Sequence, residues 1–203
     1  MDPRPEADMD PILTELPETL LSERLVLAMP RAGDGVALNR AVLESLRELQ
    51  PWMPWAQSPP SVARSEADVR RMQGRFVLRE DLAYLLFERL PDGRRGALLG
   101  GTGLHRMDWA LRRFEIGYWV RSSAQRRGLA REAVQAMARL AFTQLRARRV
   151  EIRMDELNQA SQAVARSCGF ALEGVLRQES LGVNGSARDT CVYALTALSG
   201  LRD

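Results

Sequence analysis

Gln125-Arg126-Arg127-Gly128-Leu129-Ala130 stands between an alternating segment, Phe114-Glu115-Ile116-Gly117-Tyr118-Trp119-Val120, and an amphipathic pattern that begins at Leu129. A basic, glycine-bearing turn that opens a helix gathers backbone N–H groups and the positive end of the helix dipole at one point. Such a point is an anion site, and diphosphate is its usual occupant. The alternation upstream predicts a strand with Phe114, Ile116, Tyr118 and Val120 on one face and Glu115, Gly117 and Trp119 on the other. Downstream, Leu129, Ala133, Met137, Leu140 and Ala141 form one helical stripe, with Arg131, Glu132, Gln135 and Arg139 opposite.

Working outward toward the N-terminus, Arg24 to Met29 has strand-like content and stops at Pro30. Val36, Leu38, Val42, Leu43, Leu46 and Leu49 predict a helix ended by Pro51. Trp52-Met53-Pro54-Trp55 follows as a rigid aromatic elbow, either a packed corner or the wall of a substrate pocket. A second helix is predicted from Ser65 to Glu80, with Ser65 as N-cap and Asp68 in the first turn. Leu82–Leu90 and Ala97–Met107 read as antiparallel strands around the turn Pro91-Asp92-Gly93. Gly100, Gly101 and Gly103 mark a bulge or a close backbone approach in the second of them.

Toward the C-terminus, Val150, Ile152 and Met154 alternate as a strand. Asn158 is a suitable N-cap for a short helix that ends at Cys168, with Gly169 and Phe170 as its stop signal. Leu172–Leu181 and Ala187–Leu195 flank the hairpin signal Asn184-Gly185. Pro3, Pro5, Pro11 and Pro17 predict a flexible tail over residues 1–20. Residues 21–197 then form a single mixed α+β domain, and 198–203 a C-terminal tail.

The chain has 203 residues and a formal net charge of +3, and its 29 basic residues are all arginine, spread without a stripe of interleaved aromatics. No nucleic-acid role is expected from that pattern. Cys168 and Cys191 have neither metal-ligand spacing nor the density of a disulfide scaffold, so no metal is expected and both should be small buried hydrophobes. The acidic, proline-bearing start lacks a signal-peptide pattern, and no apolar run reaches membrane-spanning length. A cytoplasmic location with no membrane partner is the expectation.

The ordered set of motifs resembles the GNAT acyltransferase superfamily, and within it the RimJ/RimL-type ribosomal-protein N-acetyltransferases. Three phrases carry the resemblance: Gln125 to Ala130; Glu115-Ile116-Gly117-Tyr118-Trp119-Val120; and Asn158-Gln159-Ala160-Ser161 followed by Cys168-Gly169-Phe170. It implies a mostly antiparallel seven-stranded sheet, splayed between its fourth and fifth strands and flanked by about four helices. It also implies acetyl-CoA as cosubstrate, with the diphosphate on Gln125, Arg126, Arg127, Gly128, Leu129 and Ala130. The pantetheine arm would pair with the backbone near Trp119 and Val120, and Asn158 and Ser161 would contact the cofactor.

Many relatives offer the leaving thiolate a Tyr at the position of Ala165; the RimJ/RimL-type group uses a Ser, which Ser161 matches. Glu115 matches a base that acts through water, and His105, the only histidine, is a second candidate base or joins Trp52 and Trp55 in the substrate pocket. Ser180 stands where some relatives carry a Glu; Glu179 beside it is assigned no catalytic role. A protein α-amine, with a pKa of about 7.7–8.0, is partly neutral near neutral pH, whereas a Lys amine near 10.4 is not. A weak base therefore suits a protein N-terminus as acceptor. A small-molecule amine is the alternative acceptor, and a catalytically silent acyl-CoA binder the alternative class. The oligomeric state is left open by the sequence, with a homodimer among the options.

Overall fold

The computed structural model describes residues 10–202. In chain order the elements are β1 (Thr19–Leu21), β2 (Leu25–Ala28), α1 (Gly35–Leu49), α2 (Val62–Val77), β3 (Leu82–Arg89), β4 (Arg95–Asp108), β5 (Arg113–Val120), α3 (Leu129–Thr143), β6 (Arg149–Asp155), α4 (Gln159–Ser167), β7 (Ala171–Leu181) and β8 (Ala187–Leu195). The strands form one sheet in the order β1-β2-β3-β4-β5-β6-β8-β7. Every neighbouring pair is antiparallel except β5 and β6.

Helices cover both faces of the sheet's first half, and the strands there alternate accordingly. Leu25, Leu27, Leu82, Tyr84 and Leu86 join the core under α3, with Ala133, Met137 and Ala141. Val26, Ala28, Leu85 and Phe87 turn the other way onto Leu38, Ala41 and Val42 of α1 and Val69 of α2. That is why Leu82 to Phe87 are all buried: a strand covered on both sides cannot alternate apolar with polar.

Five expectations are corrected. The sheet has eight strands, because Thr19–Leu21 pairs with β2 along the edge. Three residues are too few to show a period, and the surrounding prolines mask them. The described part of the expected N-terminal tail is also pinned: Arg79 donates to Thr14 O at 3.0 and 2.8 Å, and Tyr84 Oη to Pro17 O at 2.6 Å. Residues 1–9 lie outside the described residues. At the other end, Arg202 N donates to Cys168 O at 3.0 Å and Gln135 to Arg202 O at 2.7 Å, so 198–202 lies against α3 and α4.

The second helix starts three residues early, at Val62. Ser61, extended after Pro59-Pro60, is its N-cap and accepts from Arg64 N. Ser65 is buried inside it and accepts from Asn39, while Asp68 lies beyond the first turn and pairs with Arg64 and Arg71. Finally, Glu132 is not on the outer face of α3; it is buried and accepts from Ser22 Oγ, Arg24 N and Arg24 Nε. Partners a hundred residues away in sequence leave no local pattern.

The end of α4 follows its signals closely. Gly169 takes φ +90°, Gly169 N donates to Arg166 O and Phe170 N to Ala165 O, the paired bonds of a Schellman stop. Cys168 and Cys191 are free and buried, as expected of small hydrophobes.

Candidate active site

The site begins as a failure of pairing. β5 and β6 are in register only at Arg113–Arg149, Phe114–Val150 and Glu115–Glu151; beyond Glu115 the strands separate. β5 continues for five more residues paired to β4 alone, ending at Gly100–Val120. Arg121 N donates to Leu99 O on the β4 side, so by strand alternation Trp119 also faces β4 while Tyr118 and Val120 turn their N–H and C=O into the split. Val120 O accepts weakly from Gln125 Nε2 at 3.4 Å. An extended, amide-bearing chain laid in the split would satisfy the remainder, as an added strand does. Of the two residues the sequence named there, Val120 faces the split and Trp119 gives it no backbone group; Tyr118 faces it as well.

At the open end of the split lies the turn. Gly128 is the N-cap of α3 at φ +75°, a left-handed conformation that glycine adopts without strain. Gln125, Arg126, Arg127 and Gly128 are exposed, Leu129 is buried beneath them, and Ala130 is half-buried in the first helical turn. The first N–H groups of α3 have no partner within the helix, which suits them to a diphosphate. The turn is clamped from both sides. Arg24 Nη1 donates to Arg127 O at 2.7 Å while its other nitrogens hold Glu132. Burial alone would raise the Glu132 carboxyl, but hydrogen bonds from Ser22 and Arg24 hold it below its ordinary value.

From α1, Glu44 accepts from Ser123 N at 2.9 Å and pairs with Arg121; Ser45 Oγ accepts from Ser122 N at 3.0 Å. The Arg121 and Ser123 contacts lower the Glu44 pKa to about 2. None of these clamping residues stood out in the sequence, because each matters only through a distant partner.

On the α3 side of the sheet, Tyr118 and Ser161 meet across the split. Asn158 Oδ1 accepts from Ser161 N at 3.0 Å, so Asn158 caps α4 and Ser161 does not. Tyr118 Oη lies 2.9 Å from Ser161 Oγ and 3.1 Å from Ser161 O. Burial raises the phenol's pKa, against the opposing effect of the Ser161 hydrogen bond. Ala165, one turn further along α4, is fully buried.

On the other face, Glu115 sits where the split closes, paired with His105 of β4. Burial pushes its carboxyl above the ordinary range, although Arg106, 3.4 Å away, and Arg153 pull it down. The His105 ring lies over the paired Gly103 and Gly117: a Cβ on either glycine would come within 3 Å of the ring. Asp81 Oδ2 holds His105 Nδ1 at 2.7 Å. Beyond Gly117 on this face, Trp119 meets Trp55 edge-on at 6.0 Å between ring centroids, closing the elbow after α1 over β5. Trp52 is half-buried in the same elbow.

Glu179 also reaches this face. Gln178, at φ +49°, lies within an irregularity of β7, and Glu179 next to it accepts from Arg153 at 2.7 Å and Thr190 at 3.0 Å. Those contacts, that from Thr190 foremost, lower its pKa. Of the two carboxylates, Glu115 is therefore the better proton acceptor. Tyr118, Asp81, Arg153 and Glu179 went unassigned in the sequence; the alternation of β5 alone could have marked Tyr118.

Comparison with known proteins agrees with this geometry. Residues 24–171 match the model of the acetyltransferase (GNAT) domain family. YdaF of Bacillus subtilis (strain 168), whose name carries a ribosomal N-acetyltransferase assignment, is 27% identical over 186 residues, covering 86% of this chain and 92% of that one. The ribosomal-protein-serine acetyltransferase of Escherichia coli (strain K12) is 29% identical over 144 residues, 70% of this chain and 78% of its own. Among solved structures, RimL, a ribosomal α-N-protein acetyltransferase in complex with coenzyme A, superposes with a TM-score of 0.78 at 27% identity, over 89% of this chain and 98% of that one. With its split sheet and glycine-capped turn in place, the chain belongs to the GNAT acetyltransferase family, as an N-acetyltransferase of RimJ/RimL type that uses acetyl-CoA.

Proposed function

We propose that the acceptor is the N-terminal α-amine of a protein, with a ribosomal protein as the acceptor class. The observation that carries this is Glu115: a half-buried carboxylate with a raised pKa, the better of two modest bases on the acceptor face. Such a base suffices for an α-amine, which is already partly neutral, and is poorly matched to a Lys side chain. The names of the relatives point to the same acceptor.

Acetyl-CoA supplies a thioester whose acetyl carbon exchanges its C–S bond for a C–N bond, the sulfur keeping the old electron pair. The chain's own groups divide the remaining work. Arg126, Arg127 and the first N–H groups of α3 hold the diphosphate at the turn. The N–H groups of Tyr118 and Val120 face the split and orient the thioester carbonyl. Glu115 takes the amine's proton through a water molecule. Ser161 hydrogen-bonds the departing sulfur. Trp55, Trp119 and His105 wall the acceptor's approach on the face that carries Glu115.

The test is thiol release from acetyl-CoA with peptides that bear free Ser or Ala N-termini, run beside the same peptides blocked and a small-amine panel. Turnover on free termini, lost on blocking, is expected. Turnover on small amines alone would replace the acceptor class, and none at all would leave a silent binder. Gly128→Asp serves as control: a carboxylate at the anion turn should weaken acetyl-CoA binding at least about a hundredfold, since aspartate tolerates the left-handed conformation but repels the diphosphate. For the wild type, acetyl-CoA at a hundredfold its Kd should add about 2.7 kcal/mol, a rise in melting temperature of roughly 5–11 °C.

A further inference from the structure

The hydroxyl of Ser161 makes its hydrogen bond, among the described residues, to the phenol of Tyr118. Since Asn158 caps α4, the Ser161 hydroxyl is not needed to start the helix. Tyr118 and Ser161 come from opposite sides of the split, one on β5 and the other on the helix after β6. Two hydrogen placements fit the distances. In the first, Tyr118 donates to the Ser161 carbonyl, 3.1 Å away, and Ser161 turns its hydrogen onto Tyr118 Oη, 2.9 Å away. The serine hydrogen is then spent. In the second, Tyr118 donates to Ser161 Oγ, and the serine hydrogen is free to enter the split.

We propose that Tyr118 is a positioning residue for the leaving group: by donating to Ser161 Oγ it aims the serine hydrogen at the sulfur that takes the electron pair of the breaking C–S bond. This rests on the acyl-transfer reading above, and on Ser161 facing the sulfur. A hydrogen bond to an anion is roughly twice as strong as one between neutral groups, so a developing thiolate selects the second placement over the first. Aligned hydroxyls also polarise one another, so the donated phenol hydrogen makes the serine a better donor. Neither hydroxyl loses its proton. Burial raises the phenol's own pKa, and a serine hydroxyl is a weaker acid than a thiol, so the pair acts as donors. The proton given up by the amine leaves by way of Glu115 and solvent, and the thiolate recovers one from solvent after release.

The test needs no knowledge of the acceptor. The thiol of coenzyme A bound to the protein is titrated by its thiolate absorbance, with an analogue lacking the sulfur as blank, in wild type, Tyr118→Phe, Ser161→Ala and the double variant. Donors aimed at the sulfur lower the pH at which the bound thiol ionises. Tyr118→Phe should raise that midpoint by about one pH unit, a tenfold loss of preference for the thiolate. In the Ser161→Ala background the same change should move it by much less. Turnover should follow: about a tenfold fall in kcat on Tyr118→Phe with acetyl-CoA affinity held, and little further fall in the double variant.

A merely structural tyrosine would lower the melting temperature and cost the same in both backgrounds. An unchanged midpoint in folded Tyr118→Phe, with a raised one in Ser161→Ala, would overturn the role of Tyr118 alone. Midpoints unmoved in all variants would instead remove Ser161 from the sulfur, and the proposal with it.

Discussion

Glu115 shows how one position can serve chemistry at the expense of the fold. Its carboxyl is raised by burial, so the folded chain holds the proton more tightly than the unfolded chain does. Stability contributed by this group is therefore present at low pH and lost as pH rises from the ordinary carboxylate value through the raised one. Glu115→Gln should be more stable than wild type near neutral pH and no more stable near pH 4, measured by urea unfolding. The same substitution should cost about a hundredfold in kcat/KM and abolish the acid limb of its pH profile. A retained acid limb would move the base to another group, with His105 on its Asp81 tether the next in line. Alternation placed Glu115 opposite the Tyr118 face. Its burial at the closing point of the split depends on where β6 leaves β5, which no local pattern records.

Between elements, the fastening of α1 to the segment before α3 decides how firmly the proposed diphosphate turn is held. Glu44, Ser45 and Glu48, one helical face, take up Arg121, Ser122 and Ser123. The Glu44 carboxyl is held at about 2 against an ordinary 4.5. A depressed carboxylate contributes stability above its unfolded value, and that contribution fades as pH falls toward the folded one. Because the pair is partly exposed, solvent screening leaves about 1 kcal/mol of it at neutral pH. Glu44→Ala should lose that amount at pH 7 and progressively less below pH 4.5, with acetyl-CoA Kd rising several-fold; an unaltered Kd would show that the turn keeps its shape unaided. The hydrophobic spacing of α1 was legible, as was its stop at Pro51. Its polar face carried no sign of a function, since charged residues on a helix are ordinary until a partner meets them.

At the scale of the molecule, the parallel contact of β5 with β6 lasts for three residue pairs and then opens. The opening leaves the Tyr118 and Val120 amides without a strand partner, while Trp119 faces β4. Acetyl-CoA should therefore slow hydrogen exchange at the Tyr118 and Val120 N–H groups by at least about tenfold and leave Trp119 little changed, read by NMR. Equal slowing at all three would mean general tightening and no ligand lying in the split. Among the described residues no helix is long and apolar enough to cross a membrane.

By itself the sequence determined the strand, glycine turn and helix around Gly128, the order of the main elements, the cap at Asn158 and the stop at Gly169. Each of these rests on residues a few positions apart, whose period, backbone freedom or hydrogen bonding acts locally. Tertiary structure alone decided the edge strand at Thr19–Leu21, the burial of Glu132 under Arg24, the Asp81–His105 contact, the approach of Glu179 to Arg153 and the meeting of Tyr118 with Ser161. These join residues from 24 to 108 positions apart, apart from the edge strand, whose three residues are too few to show a period. Such contacts form when whole elements dock, and a side chain carries no mark of its partner until then.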